Sequence, residues 1–359
     1  MMNINLQDML SPVLQEYGLA ASAKDISSLQ SGLINSTWRV ETRGTSYILQ
    51  KMNDAIFKQP FLIGENIRMI SSFLQANYPH YFFVKPVETK RGSQMLQWEN
   101  AYYRVFPFVY GSITFPVLQN ASQAFEAAHA FGTFTKNMEL FNAANLHITL
   151  PDFHNVALRQ LQFNEALKTG NPGRISACKM MISEIEKYQD ITARYQSIAQ
   201  SDQFLKRVTH RDTKISNVLF DEKDKAICII DLDTVMPGYF ISDVGDMMRT
   251  YLCPVSEEEK DPHKIGIRYE YNEAIREGYM SQMHSLLTPF EREHFFYAGK
   301  FLIYMQALRF LTDYLLNDRY YGATYPDQNK VRAHNQLVLL AAYAGLEKKL
   351  NASPKRYYH

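Results

Sequence analysis

Asp212, Lys214 and Asn217 fall within six residues of the run Thr209-His210-Arg211-Asp212-Thr213-Lys214-Ile215-Ser216-Asn217, and Asp231 follows fourteen residues after Asn217. Between them lie an apolar triplet (Val218 to Phe220), a charged turn (Asp221 to Lys225) and a second apolar run (Ala226 to Ile230). That pattern reads as a β-hairpin, and a hairpin brings its two ends together. Asp212, Asn217 and Asp231 should therefore meet. An amide oxygen and a carboxylate suit Mg²⁺ beside phosphate, because this hard cation takes few protein ligands. The remaining carboxylate can accept a proton from a hydroxyl, so the chemistry implied is phosphoryl transfer. The simpler alternative is an Asp/Asn-rich turn on a hairpin. Such a turn needs neither Lys214 nor a carboxylate at the end of the second strand.

The flanking sequence must build a frame for this loop. Residues 3 to 17 place Leu6, Met9, Leu10, Val13, Leu14 and Tyr17 on one helical face. Strands are expected around Ser28, over Thr37 to Glu41 and over Ser46 to Met52, with the small-residue loop around Gly32 able to cover phosphates through backbone N–H groups. A helix over 60–75 starts at Pro60, and strands near Phe82 to Val87 and Met95 to Val109 complete a five-stranded antiparallel lobe. Pro107 and Gly111 mark its end. Beyond it, helices are expected over 122–140, 173–196, 270–285, 289–317 and 328–350, with 141–172 irregular in part. The expectation is an α+β chain of two lobes: residues 1–110 a helix plus a small antiparallel sheet with its own helix, and residues 111–359 a larger, mainly helical lobe carrying the hairpin.

Composition narrows the function classes. The 359 residues are 46% hydrophobic and 21% charged, and Lys+Arg 38 against Asp+Glu 37 leaves a net charge of +1. That balance argues against nucleic acid or an anionic membrane as the partner. Cys178, Cys228 and Cys253 are too few and too scattered for a disulfide framework or zinc site. With no basic segment leading into an apolar run and no stretch of about 20 apolar residues, a cytoplasmic protein is expected, as a monomer or weak homodimer.

The chain resembles the aminoglycoside phosphotransferase and choline kinase branch of the protein-kinase-like fold. The likeness is carried by Gly32-Leu33-Ile34-Asn35 with Thr37, by Tyr47 to Asn53, and by Thr209 to Phe220. It continues through Ile230-Asp231-Leu232-Asp233-Thr234-Val235-Met236-Pro237-Gly238, Asp243-Val244-Gly245-Asp246 and Ala307 to Leu315. Within that branch it is similar to the N-acetylhexosamine 1-kinases. The resemblance implies transfer of the ATP γ-phosphate, with Mg²⁺, to the anomeric hydroxyl of GlcNAc or GalNAc. It implies Asp212 as base, Asn217 and Asp231 as Mg²⁺ ligands, Lys214 as the charge balancing the moving phosphoryl group, and His210 as a residue orienting the loop. Gly32, Asn35, Thr37, Gln50, Lys51, Phe106 and Phe108 become candidates for the nucleotide.

Protein kinases carry a lysine on the third strand, facing the nucleotide phosphates. The corresponding position here is Gln50, next to Lys51, and alternation along a strand lets only one of them face the nucleotide. For the acceptor, Arg309, Asp313 and Tyr314 share a helix with Arg319, Tyr320 and Tyr321 just beyond it. Arg309, Asp313, Tyr321 and Asp233 are the candidates for sugar contact. The alternative for the first two is an intrahelical Arg309–Asp313 ion pair on a core helix. Choline, homoserine, methylthioribose and aminoglycoside kinases share the implied fold and stay open, as does a non-catalytic binding protein. An aminoglycoside would need a strongly acidic pocket, and Glu257 to Glu259, followed at once by Lys260, is the one acidic run.

Overall fold

The computed structural model describes residues 6–19, 23–29 and 35–351. Helix α1 (Leu6–Glu16) precedes the strands β1 (Ala23–Leu29), β2 (Ser36–Thr42) and β3 (Ser46–Lys51). Helix α2 (Pro60–Asn77) follows, then β4 (Leu96–Trp98) and β5 (Ala101–Pro107). The strands form one antiparallel sheet in the order β1-β2-β3-β5-β4. Leu10, Val13, Leu14 and Tyr17 of α1 pack on one face of it, against Trp38, Val40, Leu49, Tyr103 and Val105. Strand alternation then sends Thr37, Gln50 and Arg104, neighbours in register, to the opposite face. Helix α2 turns its apolar stripe (Ile63, Ile67, Ile70, Leu74) into the larger core it shares with the second lobe.

Two expectations for this lobe are corrected. Phe82 to Val87 forms no strand; its tie to the sheet is Val87 N donating to the Val105 carbonyl at 2.7 Å. Pro86 has no N–H to give a ladder. The stretch 95–109 is no single strand but a hairpin, which reverses at Glu99 in the left-handed region (φ 52°).

The second lobe contains α3 (Ala121–Asn137), α4 (Val156–Thr169), α5 (Pro172–Ala177), α6 (Lys179–Lys187) and α7 (Asp190–Ala199). Next come β6 (Arg207–Thr209), β7 (Val218–Phe220), β8 (Ala226–Ile229) and β9 (Met236–Gly238). The chain closes with α8 (Ile241–Tyr251), α9 (Tyr269–Met283), α10 (Pro289–Glu293), α11 (Phe295–Leu315) and α12 (Gln328–Asn351). The pairing of β6 with β9 was not anticipated, since each is only three residues long. Helix α4 lies where irregular chain was expected. It buries only Val156, Phe163 and Ala166, so its apolar period is faint, and the Asn155 cap accepting from Leu158 N is its clearest sign. The expected helix over 173–196 is broken into three, and the one over 289–317 breaks at His294.

Helix α11 is buried nearly all round and forms the axis of this lobe. The three cysteines are buried and unpaired. Among the described residues no helix is long and apolar enough to cross a membrane.

Candidate active site

The loop from His210 to Asn217 is held between two short sheets. β6 leads into it and pairs antiparallel with β9, while β7 leads out of it and pairs with β8. The hairpin closes as expected: Ile230 N donates to the Asn217 carbonyl at 2.9 Å, which sets Asp231 beside the loop. Arg211 (φ 68°) and Asp231 (φ 63°) both lie in the left-handed region, a strained backbone for residues with a Cβ. Such strain persists only where the surroundings over-determine it.

Helix α8 supplies that constraint. The Asp243 carboxylate accepts from His210 N (3.0 Å) and Arg211 N (2.7 Å), and Asp246 accepts from Thr213 N (2.8 Å). Thr213 Oγ1 donates to the Asp243 carbonyl at 2.8 Å, and the Tyr251 hydroxyl donates to the Thr213 carbonyl at 2.5 Å. His210 is fully buried, with Nε2 3.0 Å from the Ile230 carbonyl and its ring against Phe131. Burial lowers its pKa despite the neighbouring Asp243 and Asp212, so the ring is neutral at pH 7. It bridges the loop to the hairpin. Asp243 and Asp246 were noted in the sequence only as part of a motif; their task appears once α8 is seen against the loop.

Within the loop, Lys214 Nζ donates to Asp212 at 2.8 Å and lies 3.9 Å from Asp231. Burial works to raise the Asp212 carboxyl, but the charge and hydrogen bond of Lys214, with His210 and Asn217, outweigh it and hold it below its usual value. Asp231 behaves oppositely. Burial, then Asp233 and Asp212, push it up to about 7 against the pull of Lys214 and Arg104. Crowded carboxylates of this kind call for a cation. Asn217 is 3% exposed and its amide nitrogen donates to the Asp212 carbonyl at 2.8 Å, so Oδ1 is the atom that would meet one. No cluster of three His, Cys, Asp or Glu side chains suited to a metal occurs among the described residues. One carboxylate and an amide oxygen, those of Asp231 and Asn217, instead fit Mg²⁺, which takes few protein ligands.

The first lobe meets this site through Arg104, which the sequence reading missed. Its side chain is 1% exposed; Nε donates to Gln50 Oε1 at 2.9 Å, Nη1 pairs with Asp233, and the guanidinium lies 5.1 Å from the Phe106 ring centroid. Asp233 is 2% exposed, and its other oxygen accepts from Asn35 Nδ2 at 2.9 Å. Asn35 Oδ1 in turn accepts from Asn53 N at 3.0 Å. Both carboxylate oxygens of Asp233, expected to meet a sugar hydroxyl, are thus engaged between the lobes. Gln50 faces the second lobe with Thr37 (Nε2 to Oγ1, 3.4 Å), whereas Lys51 is exposed and shares the sheet face of Leu49 and Tyr103. Phe108 packs under Arg39, 4.4 Å from its ring centroid, and Gly32 lies outside the described residues.

Helix α4, the end of α11 and residues 320–321 line an open cavity of about 350 Å³. Arg159, Arg309, Asp313, Tyr320 and Tyr321 are among its lining residues. The alternative Arg309–Asp313 ion pair is not formed. Asp313 accepts from Tyr320 N (2.7 Å), Tyr321 N (2.9 Å) and Asn329 Nδ2 (3.1 Å), closing the turn after α11. Arg309 donates to Gln306 Oε1 (3.2 Å) and the Tyr320 hydroxyl (3.4 Å), and its guanidinium lies 5.9 Å from the Phe153 ring centroid. Next to Phe153, His154 is 8% exposed. Burial lowers its pKa, and the charges of Arg211, Arg309, Arg249 and Arg159 lower it further.

An antiparallel lobe over a helical lobe, with this loop and hairpin between them, defines a small-molecule phosphotransferase of the kinase-like fold. The chain belongs to the phosphotransferase enzyme family (APH), which matches residues 25–272. Among solved structures it is similar to a spectinomycin phosphotransferase in complex with ADP and spectinomycin, at 14% identity and TM-score 0.62, covering 96% of this chain and 99% of that one. It is also similar to a microcompartment-associated aminopropanol kinase, at 15% identity and TM-score 0.62, covering 95% and 97%. A Plasmodium vivax ethanolamine kinase matches at 13% identity and TM-score 0.60, covering 93% and 91%. At such identities the likeness is one of fold.

Proposed function

We propose that the protein transfers the γ-phosphate of ATP, with Mg²⁺, to the anomeric hydroxyl of an N-acetylhexosamine, GlcNAc or GalNAc. The catalytic cluster supports the transfer. Asp212, held ionised by Lys214, accepts the hydroxyl proton as the acceptor oxygen attacks phosphorus and ADP leaves. Lys214 sits between Asp212 and Asp231, where it balances charge on the moving group. Asp231 and Asn217 would hold Mg²⁺, which would offset the charge of the phosphate groups. The sheet face carrying Thr37, Gln50 and Phe106 would cover the nucleotide.

The observation that carries the acceptor class is the cavity between α4 and the end of α11. It offers guanidinium groups and tyrosine rings, and of its two carboxylates only the exposed Glu165 is left to meet an ammonium group. Asp313 is taken up by two backbone amides and Asn329, and Glu165 is 62% exposed with Lys168 at 3.6 Å. The structural neighbours are named for amine-bearing acceptors: spectinomycin, aminopropanol and ethanolamine. A neutral sugar, with hydroxyl edges and apolar faces, suits arginines beside aromatic rings better than a cation does.

The methyl glycoside of GlcNAc tests the position of transfer. Its anomeric oxygen carries no proton, so Asp212 has nothing to deprotonate and the in-line geometry lacks a nucleophile. Phosphorus NMR should show a sugar 1-phosphate from GlcNAc, and an ADP-release assay should show no turnover of the glycoside. Robust turnover of the glycoside would discard the 1-kinase assignment and leave the phosphotransferase site standing.

A further inference from the structure

We propose that Arg104 supplies the cation that the third strand lacks, its guanidinium meeting a phosphate oxygen of the bound nucleotide. This rests on the nucleoside triphosphate donor of the reading above and is independent of the acceptor. Protein kinases pair a lysine on the third strand with a glutamate on the first lobe's helix. Neither partner is in place here. The strand position is Gln50, and Lys51 next to it is exposed on the other face of the sheet. On α2, Asn66 is buried but bonds the backbones of His147 and Val235, and the Glu65 carboxylate pairs with His147.

Arg104 stands directly across from Gln50 in the β3–β5 register, on the sheet face turned to the second lobe. Two restraints fix its fork: Nε donates to Gln50 Oε1 at 2.9 Å, and Nη1 pairs with Asp233. Nη2 has no hydrogen-bond partner among the described residues, although the side chain is only 1% exposed. Asp233 is anchored in turn. Its other oxygen accepts from Asn35 Nδ2 at 2.9 Å, and its carbonyl accepts from Thr149 Oγ1 at 3.3 Å. It lies in the short 3₁₀ turn Leu232–Thr234 that Asp231 caps, and two residues of chain span at most about 7 Å. The guanidinium is therefore held beside the run that carries the candidate Mg²⁺ ligand. Arg39, on the same sheet face, is engaged by Glu41 at 3.2 Å and lies over the Phe108 ring. A buried guanidinium with one amino group spare, and its counter-ion fixed on the opposite lobe, is preorganised for an oxyanion. Asp233 thus takes the part that the helix glutamate takes in a protein kinase.

The test is calorimetric titration of the full chain with the β,γ-imido analogue of ATP, with and without Mg²⁺. Ligand-observed NMR of adenosine, which reads weak binding, supplies the reference without phosphates. Arg104→Met combined with Asp233→Leu removes the guanidinium without stranding a buried charge, and a thermal melt checks that the variant is folded. In it the analogue should bind about tenfold or more weakly, as expected for one charge-assisted contact, while adenosine changes by less than about twofold. Arg104→Lys, which keeps the charge but not the fork, should retain part of the difference. The loss should persist without Mg²⁺; a loss seen only with Mg²⁺ would place the effect at Asp231 and overturn the phosphate contact. An equal loss for analogue and adenosine would make Arg104 a strut between the lobes, and no loss for either would leave it without a part in binding. Both results overturn the proposal while the nucleotide reading stands. If the wild type binds neither this analogue nor its guanosine counterpart, the nucleotide reading falls and the inference with it.

Discussion

Arg104 and Asp233, 129 residues apart in the chain, form a buried ion pair that spans the two lobes. Arg104 sits on β5 directly across from Gln50, and Asp233 lies two residues beyond Asp231. The pair therefore couples the sheet face of the first lobe to the Asp231–Asp233 run of the second. Removing one partner leaves a bare charge in a dry cleft. Arg104→Met should lower stability by about 3–5 kcal/mol, while Arg104→Met with Asp233→Leu should recover most of that loss. Urea denaturation of the two variants measures the difference, and equal losses would count against charge burial as the cause.

Asp212→Asn keeps the size of the side chain and removes the proposed proton acceptor. The expected loss is at least ~10²–10⁴ in kcat, with nucleotide affinity nearly unchanged. Steady-state kinetics beside calorimetric titration of Mg²⁺–ADP separates the two quantities. Wild-type kcat in the variant would remove Asp212 from the role of base.

The raised Asp231 carboxyl predicts how pH and metal combine. Without metal, the folded protein holds a proton on Asp231 up to about pH 7, above the unfolded carboxyl value. This group's contribution to stability therefore declines as pH rises between those values. Mg²⁺ must displace that proton, so its stabilising effect should be larger at pH 8 than at pH 6. Thermal melts with and without Mg²⁺ at both pH values check the sign. Asp231→Asn should abolish most of the Mg²⁺ shift at either pH, and a full shift in that variant would exclude Asp231 as a ligand.

Gly245 sits between Asp243 and Asp246 on α8, where that helix crosses α11. A Cβ there would collide with the carbonyl oxygen of Ala298 and come 3.0 Å from the Leu302 Cβ. Gly245→Ala should push α8 away from α11, costing about 1–3 kcal/mol and loosening the hydrogen bonds from the loop to Asp243 and Asp246. A drop in Tm together with a fall in kcat is expected. Unchanged kcat despite a lowered Tm would show that the loop holds its geometry without α8.

Local chemistry made the Asp212–Asn217 loop and its hairpin readable before any coordinates. Spacing, β-branched runs and turn residues act over a few positions, and the hairpin needs nothing distant to return Asp231 to the loop. The helices with strong apolar stripes, α1 and α2, were legible for the same reason. Helix α4 was hidden because a mostly solvent-facing helix leaves little periodic signal. Three-residue strands such as β6 and β9 exist only because each finds the other. Arg104 read as an ordinary strand residue, and only the juxtaposition of the lobes gave it Asp233 as a partner. The choice of Gln50 over Lys51 as the residue facing the second lobe likewise waited on the register of β3 against β5, which side chains many residues apart decide. What the sequence by itself determined was the chemistry available along short stretches; which distant groups share a dry cleft was decided by the tertiary fold, because burial and pairing belong to surroundings that chain order does not specify.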